Sequence, residues 1–400
     1  MTSRLEDLIA ELCPNGVEYK KIGDIADYEQ PTKYIVKSTK YDDSFATPVL
    51  TAGQSFILGY TDELDNIYLA SKDNPVIIFD DFTGAIQWVD FPFKVKSSAM
   101  KMITAKPNVL IRYLYHWMAL LGFSSSEHKR LWISTYSNFE IPIPPLDVQA
   151  EIVRILDTFT ELTAELTAEL TARKKQYEYY RDTLLTFNDN NPLHSLISHY
   201  CPNGVEYYKT SDLVRMSFWL MPATPRFIED GIPYITSKNV KNGVINFESA
   251  KYIDCEDFAE ISKNRPICEG DMLITMIGTI GEVAIVKGNT KFYGQNLYLL
   301  RFDKTKIITK YYYYFITSEK IRNSIISRKN PSSQGYIKAG NIENLQIPVP
   351  PLEVQRQIVQ ILDRFDALCN DLIQGLPAEI EARRKQYEYY RDQLLTFKRA

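Results

Sequence analysis

The sequence is poor in the residues that build disulfide frameworks and metal clusters. Its five cysteines form no Cys-x-x-Cys pair, and only four histidines accompany them. A disulfide frame or a zinc site needs several such residues at close spacing, so neither is indicated. We read the cysteines as ordinary reduced thiols and expect no metal site.

Long apolar runs are also missing. No uninterrupted apolar stretch approaches the ~18 residues that cross a membrane. The first dozen residues carry charges such as Arg4, Glu6 and Asp7 where a signal peptide would be apolar. We therefore expect a cytoplasmic protein. A chain of 400 residues with 45% hydrophobic content suggests two globular domains rather than one.

An overall excess of positive charge is lacking, because the formal net charge is −4. Basic residues are unevenly placed, however: residues 208–346 hold 19 Lys+Arg against 14 Asp+Glu, residues 20–140 hold 13 against 14, and residues 141–207 hold 5 against 10. The segment 208–346 could therefore attract phosphate broadly. The segment 20–140 would need a local basic patch, and its candidates are Lys94, Lys96, Lys101, His128, Lys129 and Arg130.

The chain does contain an internal repeat, in which three blocks of sequence occur twice in the same order. The stretch CPNGVEY of residues 13–19 returns unchanged at 201–207. Residues 141–159 (IPIPPLDVQAEIVRILDTF) match residues 347–365 at 13 of 19 positions, and residues 173–187 (RKKQYEYYRDTLLTF) match residues 383–397 at 13 of 15. Residues 20–140 and 208–346 show no such likeness to each other. These repeated blocks, which we call the frame, therefore flank two dissimilar segments.

The repeated frame predicts long helices. Apolar residues recur at spacings of three and four from Ile152 to Leu184, and no glycine or proline lies between Val148 and Phe187. Forty residues at ~1.5 Å each make a rod of about 60 Å. The second copy, Val354 to Phe397, is its natural partner, although Gly375 and Pro377 should bend or interrupt it. We expect an antiparallel coiled coil, with Leu162, Leu166 and Leu170 packing along the spacer helix.

The two dissimilar segments read as β-rich domains with short helices. Strands are predicted at Val76–Phe79, Tyr234–Thr236, Met272–Met276 and Val283–Val286, and helices at Leu110–Leu121 and Lys310–Ser327. The predicted fold class is α+β, with two globular α+β domains joined by two long antiparallel coiled-coil helices in an internal pseudo-two-fold repeat. The predicted segments are 1–19, 20–140, 141–207, 208–346 and 347–400.

At this point the frame resembles a known family. The pattern PPL[DE]xQxxIVxILDxF followed by RxKQYEYYRDxLLTF, present twice around dissimilar domains, is similar to the specificity subunits of type I restriction-modification systems. Four segments of the second domain also look like family signatures: Pro233–Lys238, Gly278–Gly281, Gln295–Asn296 and Ser332–Gly335. The TAEL units, TAGQSFILGY and VIIFDDFT resemble the IC-like branch, which carries such tetrapeptides between its domains.

The resemblance implies a non-catalytic, DNA-binding subunit that serves DNA methylation and host defence. Residues 20–140 and 208–346 would be target-recognition domains, each reading one half of a bipartite double-stranded DNA sequence. Partners would be two methyltransferase subunits that carry S-adenosylmethionine and methylate adenine, and two motor-nuclease subunits that use ATP and Mg²⁺. The chain itself would hold no cofactor.

The residues agree that catalytic parts are missing. The sequence has no FxGxG loop, no NPPY or DPPY tetrad and no GxxxxGK[ST] phosphate loop. Asp80 and Asp81 could suggest a pair of metal ligands, but no third acid and lysine follow at useful spacing. A polar loop beside a DNA groove, or a solvated strand end, is the favoured reading of these two residues.

Reading bases requires side chains with hydrogen-bonding edges on exposed loops, and binding phosphate requires basic or hydroxyl groups. In the first domain such candidates are Thr51, Gln54, Ser55, Thr83, Lys96, Ser97, Ser98, Lys129, Arg130 and Tyr136. In the second they are Thr236, Ser237, Lys238, Asn239, Gln295, Asn296, Ser333, Gln334, Tyr336 and Lys338.

Two other functions stay open at this stage. A coiled-coil adaptor without DNA specificity would explain the rods, but it would not need two different loop-rich domains of similar size. A single-chain methyltransferase or nuclease would require the catalytic motifs that the sequence lacks.

The tetrapeptides Thr163–Leu166 and Thr167–Leu170 are identical, and both read TAEL. Ala, Glu and Leu are good helix formers, so any solvated helix could contain them. Perfect repetition instead predicts a unit that can be gained or lost, and that sets the length of the rod.

Overall fold

The apolar stripe that follows Pro145 forms a single helix of 39 residues. The computed structural model describes residues 3–51, 55–122, 129–288, 291–330, 335–371 and 374–400. Its helices are α1 (Ser3–Leu12), α2 (Ile22–Ile25), α3 (Ile111–Leu121), α4 (Leu146–Leu184), α5 (His194–Tyr200), α6 (Thr210–Leu213), α7 (Cys255–Ser262), α8 (Thr309–Ile316), α9 (Glu319–Ser327), α10 (Ala339–Glu343), α11 (Leu352–Asn370) and α12 (Leu376–Leu394).

The strands are short, as the brief β-branched runs predict. They are β1 (Glu18–Lys21), β2 (Ala26–Glu29), β3 (Thr47–Leu50), β4 (Ile57–Thr61), β5 (Val76–Asp80), β6 (Ile86–Val89), β7 (Lys94–Val95), β8 (Met100–Ala105), β9 (Glu140–Ile143), β10 (Tyr207–Lys209), β11 (Val214–Leu220), β12 (Phe227–Ile228), β13 (Ile232–Ile235), β14 (Val240–Lys241), β15 (Val244–Ile245), β16 (Lys251–Ile253), β17 (Met272–Thr275), β18 (Val283–Ile285), β19 (Tyr293–Gly294), β20 (Leu297–Phe302) and β21 (Gln346–Pro348).

The chain divides into two units: unit 1 comprises Met1–Thr167 with Glu379–Ala400, and unit 2 comprises Ala168–Ala378. Both rods therefore contribute residues to each unit, because α4 and α12 cross the boundary between them.

Unit 1 is built on a four-stranded sheet in the order β2-β8-β5-β6 and a smaller sheet in the order β4-β3-β7. The central strand β5 is buried at every residue, so its apolar run contacts the core on both faces. Phe79 packs edge-on against Trp132 and Tyr136. Strands β1 and β9 pair separately, next to the rods.

Unit 2 repeats this connectivity although its sequence differs. Its four-stranded sheet has the order β11-β20-β17-β18, and the second sheet has the order β12-β16-β13-β19. Strand β13 pairs in parallel with β19, as β3 pairs in parallel with β7 in unit 1. Strands β12, β14 and β15 have no counterpart among the described strands of unit 1. The α+β class and the internal repeat are confirmed.

The rods pack through equivalent aromatic pairs. In unit 1 the ring of Phe159 on α4 stacks on Tyr390 of α12, with centroids 5.2 Å apart. In unit 2 the ring of Tyr180 on α4 stacks on Phe365 of α11, with centroids 5.1 Å apart. The second rod consists of α11 followed by α12. The first half of α4 thus contacts α12, and the second half of α4 contacts α11. The predicted antiparallel arrangement is confirmed.

The second rod is interrupted where its sequence predicts. Helix α11 ends at Asn370 and α12 begins at Leu376, so the break includes Gly375, and Pro377 lies in the first turn of α12. A proline is tolerated there because the first amide groups of a helix have no intrahelical acceptor. A side chain at Gly375 would lie 2.6 Å from the carbonyl oxygen of Ala367.

Other helix predictions were less accurate. The helical stretch predicted over Lys310–Ser327 is divided into two helices: α8 ends at Ile316, and α9 starts after Ser318, whose hydroxyl donates to the carbonyl of Phe315. The spacer residues Leu162, Leu166 and Leu170 are half-buried rather than fully buried. In the part of the chain that the structure describes, no helix combines the length and apolarity needed to cross a bilayer.

Candidate nucleic-acid interface

In unit 2, loops from four parts of the chain meet where the parallel strands β13 and β19 end. The backbone N–H of Gln295 donates to the carbonyl of Ile235 at 3.1 Å, which holds the turn after β19 against the turn after β13. Gly278, in the turn after β17, faces the same place, since a Cβ built on it would lie 3.3 Å from Oγ of Ser237.

The fourth segment joins through backbone contacts. The N–H of Ile337 donates to the carbonyl of Met276 at 3.0 Å, and Tyr336 forms a β-bridge with Ile277. Three of the stretches that resemble family signatures are therefore neighbours in the fold, and the residues that follow the fourth, Tyr336 and Ile337, lie beside them. Ser333 and Gln334 lie outside the described residues.

The side chains of this cluster suit contact with bases and phosphates. Lys238 and Lys338 are exposed, and Thr236, Gln295, Asn296 and Tyr336 are half-buried. Burial raises the pKa of Tyr234 to about 12, so its hydroxyl stays protonated and donates to Oε1 of Gln295 at 3.3 Å. This contact orients the Gln295 amide and leaves its Nε2 as a donor. Carboxamides of this kind read adenine edges in the major groove.

Two predicted reading residues have a structural position instead. Asn239 is only 4% exposed, and its Oδ1 accepts from the backbone N–H of Thr236 while its Nδ2 donates to the carbonyl of Asn246. Its hydrogen-bonding groups shape the turn and are not available to DNA. Ser237 is buried beside it. The burial of Asn239 and Ser237 therefore argues against direct contacts of these two residues with DNA.

Unit 1 builds an equivalent cluster from different residues. The N–H of Lys96 donates to the carbonyl of Leu50 at 2.8 Å, which is the counterpart of the bond from Gln295 to Ile235. The N–H of Asp81 donates to the carbonyl of Ala99 at 3.1 Å, and the N–H of Leu131 donates to the carbonyl of Asp81 at 2.8 Å. These bonds hold together the turns that carry Thr51, Thr83, Lys96–Ser98 and Lys129–Arg130.

Most candidates of unit 1 are accessible. Ser55, Thr83, Ser97, Ser98, Lys129 and Arg130 are exposed, and Thr51 and Lys96 are half-buried. Gln54 lies outside the described residues. Tyr136 is fully buried, and its hydroxyl donates to the carbonyl of Met118 at 3.0 Å. The apolar neighbours of this ring place it in the core, which argues against the predicted contact of Tyr136 with DNA.

The basic patch predicted for unit 1 is only partly formed. Lys94 is fully buried, and its Nζ lies 2.9 Å from a carboxylate oxygen of Glu63. Lys101 is buried as well, with Nζ 3.3 Å from Asp81. Both lysines are buried and paired with a carboxylate, half-buried in Glu63 and buried in Asp81, so they are not available to phosphate. His128 lies outside the described residues, and Lys96, Lys129 and Arg130 remain as basic candidates.

The carboxylates of Asp80 and Asp81 both accept hydrogen bonds from backbone groups. Oδ1 of Asp80 accepts from the backbone N–H groups of Phe82 and Thr83, and Oδ1 of Asp81 accepts from the N–H of Trp132 at 2.9 Å. These carboxylates shape the loop between β5 and β6. Among the described residues, no three His, Cys, Asp or Glu side chains are grouped as metal ligands.

Two polar residues at this cluster were not among the predicted contacts, one inside a predicted motif and one outside the motifs. Thr279 is exposed at the tip of the turn between Gly278 and Gly281, whose φ angles are +79° and +80°. The Nδ2 of Asn330 donates to the hydroxyl of Tyr336 at 2.9 Å. The two glycines on either side of Thr279 and Ile280 are a signal for the first residue. The second has no signal in the sequence, because only the fold brings it to Tyr336.

Comparison with known proteins agrees with this geometry. The family described as "Type I restriction modification DNA specificity domain" matches residues 14–173 and again residues 202–382. The chain is 42% identical over 401 residues to the Type I restriction enzyme EcoR124I/EcoR124II specificity subunit of Escherichia coli, with 95% of this chain and 94% of that protein covered.

A more distant relative and a solved structure are also specificity subunits of type I systems. The putative specificity subunit S.HindORF215P of Haemophilus influenzae is 32% identical over 399 residues, with 95% of this chain and 96% of that protein covered. The crystal structure of the S subunit of a type I restriction-modification system from M. genitalium has the same fold, with a TM-score of 0.61 at 13% identity, over 96% of this chain and 97% of that chain.

These matches favour DNA recognition over the coiled-coil adaptor without DNA specificity, because the matched family is a DNA specificity domain and it covers both copies of the repeat. The chain belongs to the family of type I restriction-modification DNA specificity subunits.

Proposed function

We propose that the loop cluster of each unit reads one half of a bipartite DNA sequence. In unit 1 the reading residues are Thr51, Gln54, Ser55, Thr83, Lys96, Ser97, Ser98, Lys129 and Arg130, and in unit 2 they are Thr236, Lys238, Gln295, Asn296, Ser333, Gln334, Tyr336 and Lys338. As a specificity subunit, the chain selects the DNA sequence and performs no catalysis itself.

The observation that carries this proposal is the pair of equivalent backbone bonds. Lys96 donates to Leu50 and Gln295 donates to Ile235, so two different side chains occupy the same place at the end of the same parallel strand pair. Identical scaffolds that present different hydrogen-bonding groups would recognise different bases. The exposed basic residues beside them would contact phosphate and fix the register.

The assay is methylome sequencing of cells that express the chain with its methyltransferase partner. Gln295→Ala should relax the choice of base at one position of one half-site, since a good base contact is worth about 1–3 kcal/mol. Gln393→Ala, an exposed position on α12, is the matched control and should leave the modified sequence unchanged. Relaxation in both half-sites, or in neither, would contradict the assignment of Gln295.

The partner arrangement that we propose is two methyltransferase and two motor-nuclease subunits, working in the cytoplasm with S-adenosylmethionine, ATP and Mg²⁺ bound to those partners. The frame supports a paired arrangement because it presents the same surface twice. Tyr179 in unit 2 and Tyr389 in unit 1 are equivalent positions of the repeated QYEYYRD stretch, and their side chains are 67% and 59% exposed.

Native mass spectrometry tests this arrangement. If the two tyrosines mark two docking positions, Tyr179→Glu or Tyr389→Glu should each remove one methyltransferase subunit, and the double variant should remove both. Leu64→Glu is a control at an exposed apolar residue that lies outside the frame. Full loss of both subunits from either single change would argue against two independent positions.

A further inference from the structure

The first copy of the CPNGVEY stretch is covered by residues 397–400. The N–H of Val17 donates to the carbonyl of Lys398 at 2.9 Å, and the N–H of Ala400 donates to the carbonyl of Val17 at 3.0 Å. This is the hydrogen-bond pattern of a parallel bridge. Residues 397–400 therefore continue the β1–β9 pair as an additional strand on the side of Val17, and Val17 is left 4% exposed.

Side chains strengthen this contact. The hydroxyl of Tyr19 donates to the carbonyl of Phe397 at 2.8 Å, and the guanidinium of Arg399 lies 4.7 Å from the centroid of the Tyr19 ring. Arg399 also forms an ion pair with Glu140. Gly16 has φ +96°, and a Cβ built on it would lie 2.6 Å from the carbonyl oxygen of Lys398, so only glycine admits the added strand.

The second copy has the same sequence and local conformation, but its edge is open. Gly204 has φ +89°, and β10 pairs with β21 in the register of β1 with β9, with Tyr207 opposite Pro348 as Tyr19 is opposite Pro142. Among the described residues other than its two chain neighbours, no atom lies within 4 Å of a Cβ built on Gly204. Within the described residues no backbone group pairs with that of Val205, and Tyr207 is 60% exposed.

The edge is open because the chain turns away before reaching it. The residues that follow α4 correspond to those that cover Val17, but they enter a turn at Asn188–Asn191 and continue into α5. The Nδ2 of Asn191 donates to the carbonyls of Thr183, Leu184 and Thr186 and so caps the end of α4. The residues equivalent to the covering strand are therefore held elsewhere.

We propose that the Gly204–Tyr207 edge binds an extended segment of a partner protein by strand addition. An unpaired strand edge with a free N–H and carbonyl is a template for this kind of binding. The occupied copy defines the chemistry of the guest, which is an aromatic residue followed by basic residues, as in Phe397-Lys398-Arg399. The Tyr207 hydroxyl would donate to the carbonyl of the guest's aromatic residue, and the Tyr207 ring would accept its basic side chain.

The occupant is a partner rather than a second copy of this chain, because the chain's own segment of this pattern is already engaged on Val17. Charge also favours a basic guest. Glu206 is exposed at the edge, and residues 141–207 hold 10 acidic against 5 basic residues.

The experiment uses the full-length chain and a fluorescent peptide with the sequence of residues 394–400, LLTFKRA, followed by fluorescence polarisation. The peptide should bind saturably, and the variant peptide that ends in proline should bind more weakly, since proline removes the N–H that Ala400 donates to Val17. Tyr207→Phe should weaken binding about three- to tenfold, as expected for one lost hydrogen bond. Tyr28→Phe, at an exposed tyrosine of unit 1, is the matched control and should leave binding unchanged.

Gly204→Val should weaken binding more than tenfold, by analogy with the close approach at Gly16. Because a side chain at a positive φ is strained, its effect counts only alongside the milder Tyr207→Phe change. The proposal is overturned if the peptide does not bind, or if Tyr19→Phe rather than Tyr207→Phe alters its affinity, which would place the peptide on Val17. It is likewise overturned if the chain self-associates and Gly204→Val abolishes this association, because a second copy would then fill the edge.

Discussion

Oε1 of Gln149 accepts a hydrogen bond from the backbone N–H of Leu110 at 2.9 Å, and so ties α4 to the residue that precedes α3. The Nε2 of the same side chain donates to the carbonyls of Pro144 and Asn108. Gln355 makes the equivalent bonds to Ile308, Pro350 and Lys306 in unit 2. Both glutamines are fully buried. One residue of the repeated frame therefore fastens each recognition domain to its rod.

Replacing Gln149 by leucine should destabilise unit 1 by about 3 kcal/mol, because buried backbone groups left without partners cost ~1–3 kcal/mol each. Urea unfolding measures the loss, and Gln355→Leu should have a similar effect on unit 2. The exposed Gln393→Leu change is the control and should stay within about 0.5 kcal/mol of the parent. Equal unfolding midpoints for Gln149→Leu and Gln393→Leu would refute the role of the buried amide.

The stability of unit 1 should depend on pH through His116. This ring is buried between α3 and the rods, where its Nε2 lies 2.9 Å from Asp157 and its Nδ1 lies 3.1 Å from the Tyr387 hydroxyl. Burial lowers the pKa of His116 below its ordinary value of 6.5, and the hydrogen bond that His116 donates to Asp157 only partly offsets this. Burial acts to raise the pKa of Asp157, but the bonds from His116 and Arg112 outweigh it, and the pKa is lowered.

Both shifts act in the same direction. Since the unfolded His116 takes up a proton at a higher pH than the folded one, unit 1 has its full stability above about pH 6.5 and loses it as the pH falls further. The lowered pKa of Asp157 adds a loss at more acidic pH. Unit 2 has Tyr314 at the equivalent place, with its hydroxyl bonded to Asp363, and should be insensitive to pH in this range.

His116→Tyr copies the arrangement of unit 2 and should flatten the dependence of unit 1 stability on pH between 5 and 7. Trp88, Trp117 and Trp132 lie in unit 1 and Trp219 lies in unit 2, so tryptophan fluorescence in the Trp219→Phe background reports unit 1 alone. An unaltered pH profile in His116→Tyr would show that another group is responsible.

Exchange of residues 20–140 for the matching domain of a relative should change one half-site and preserve the other. The ends of this segment are neighbours, because Lys21 pairs with Glu140 and Lys20 pairs with Ile141 in the β1–β9 ladder. A graft therefore enters and leaves through one strand pair without disturbing the rods. Methylome sequencing provides the comparison, and a change in both halves of the modified sequence would disprove independent reading.

Insertion of one TAEL unit after Leu170 should lengthen the DNA spacer by about one to two base pairs. Four residues add ~6 Å to a helix and turn it by about 400°, so the apolar stripe returns within ~40° of its former line. The local structure tolerates the unit, since Thr163 and Thr167 each donate from Oγ1 to the carbonyl four residues earlier, at 2.8 and 2.7 Å.

Strains with one, two and three units, analysed by methylome sequencing, test this prediction, and the half-site sequences should stay the same throughout. The control replaces one TAEL by AAEL, which changes the sequence without changing the length and should preserve the gap. If the DNA spacer had the same length in all three strains, the TAEL units would not set that length.

The sequence by itself determined the repeated frame and the family. Matching stretches and a helical period of apolar residues can be recognised from the residues alone, without the fold. It also located the break at Gly375, since glycine and proline act through local backbone geometry. The motifs of the second interface could be named in advance, although their meeting point could not.

Only the tertiary structure decided which polar residues are accessible. Asn239 and Tyr136 resemble any other loop residue in the sequence, yet one is consumed in shaping a turn and the other fills the core. Lys94 and Lys101 likewise look like a basic patch until the fold brings Glu63 and Asp81 to them. Burial and pairing depend on contacts between residues far apart in the chain, and the same reason explains why two identical CPNGVEY stretches end up with one covered edge and one open edge.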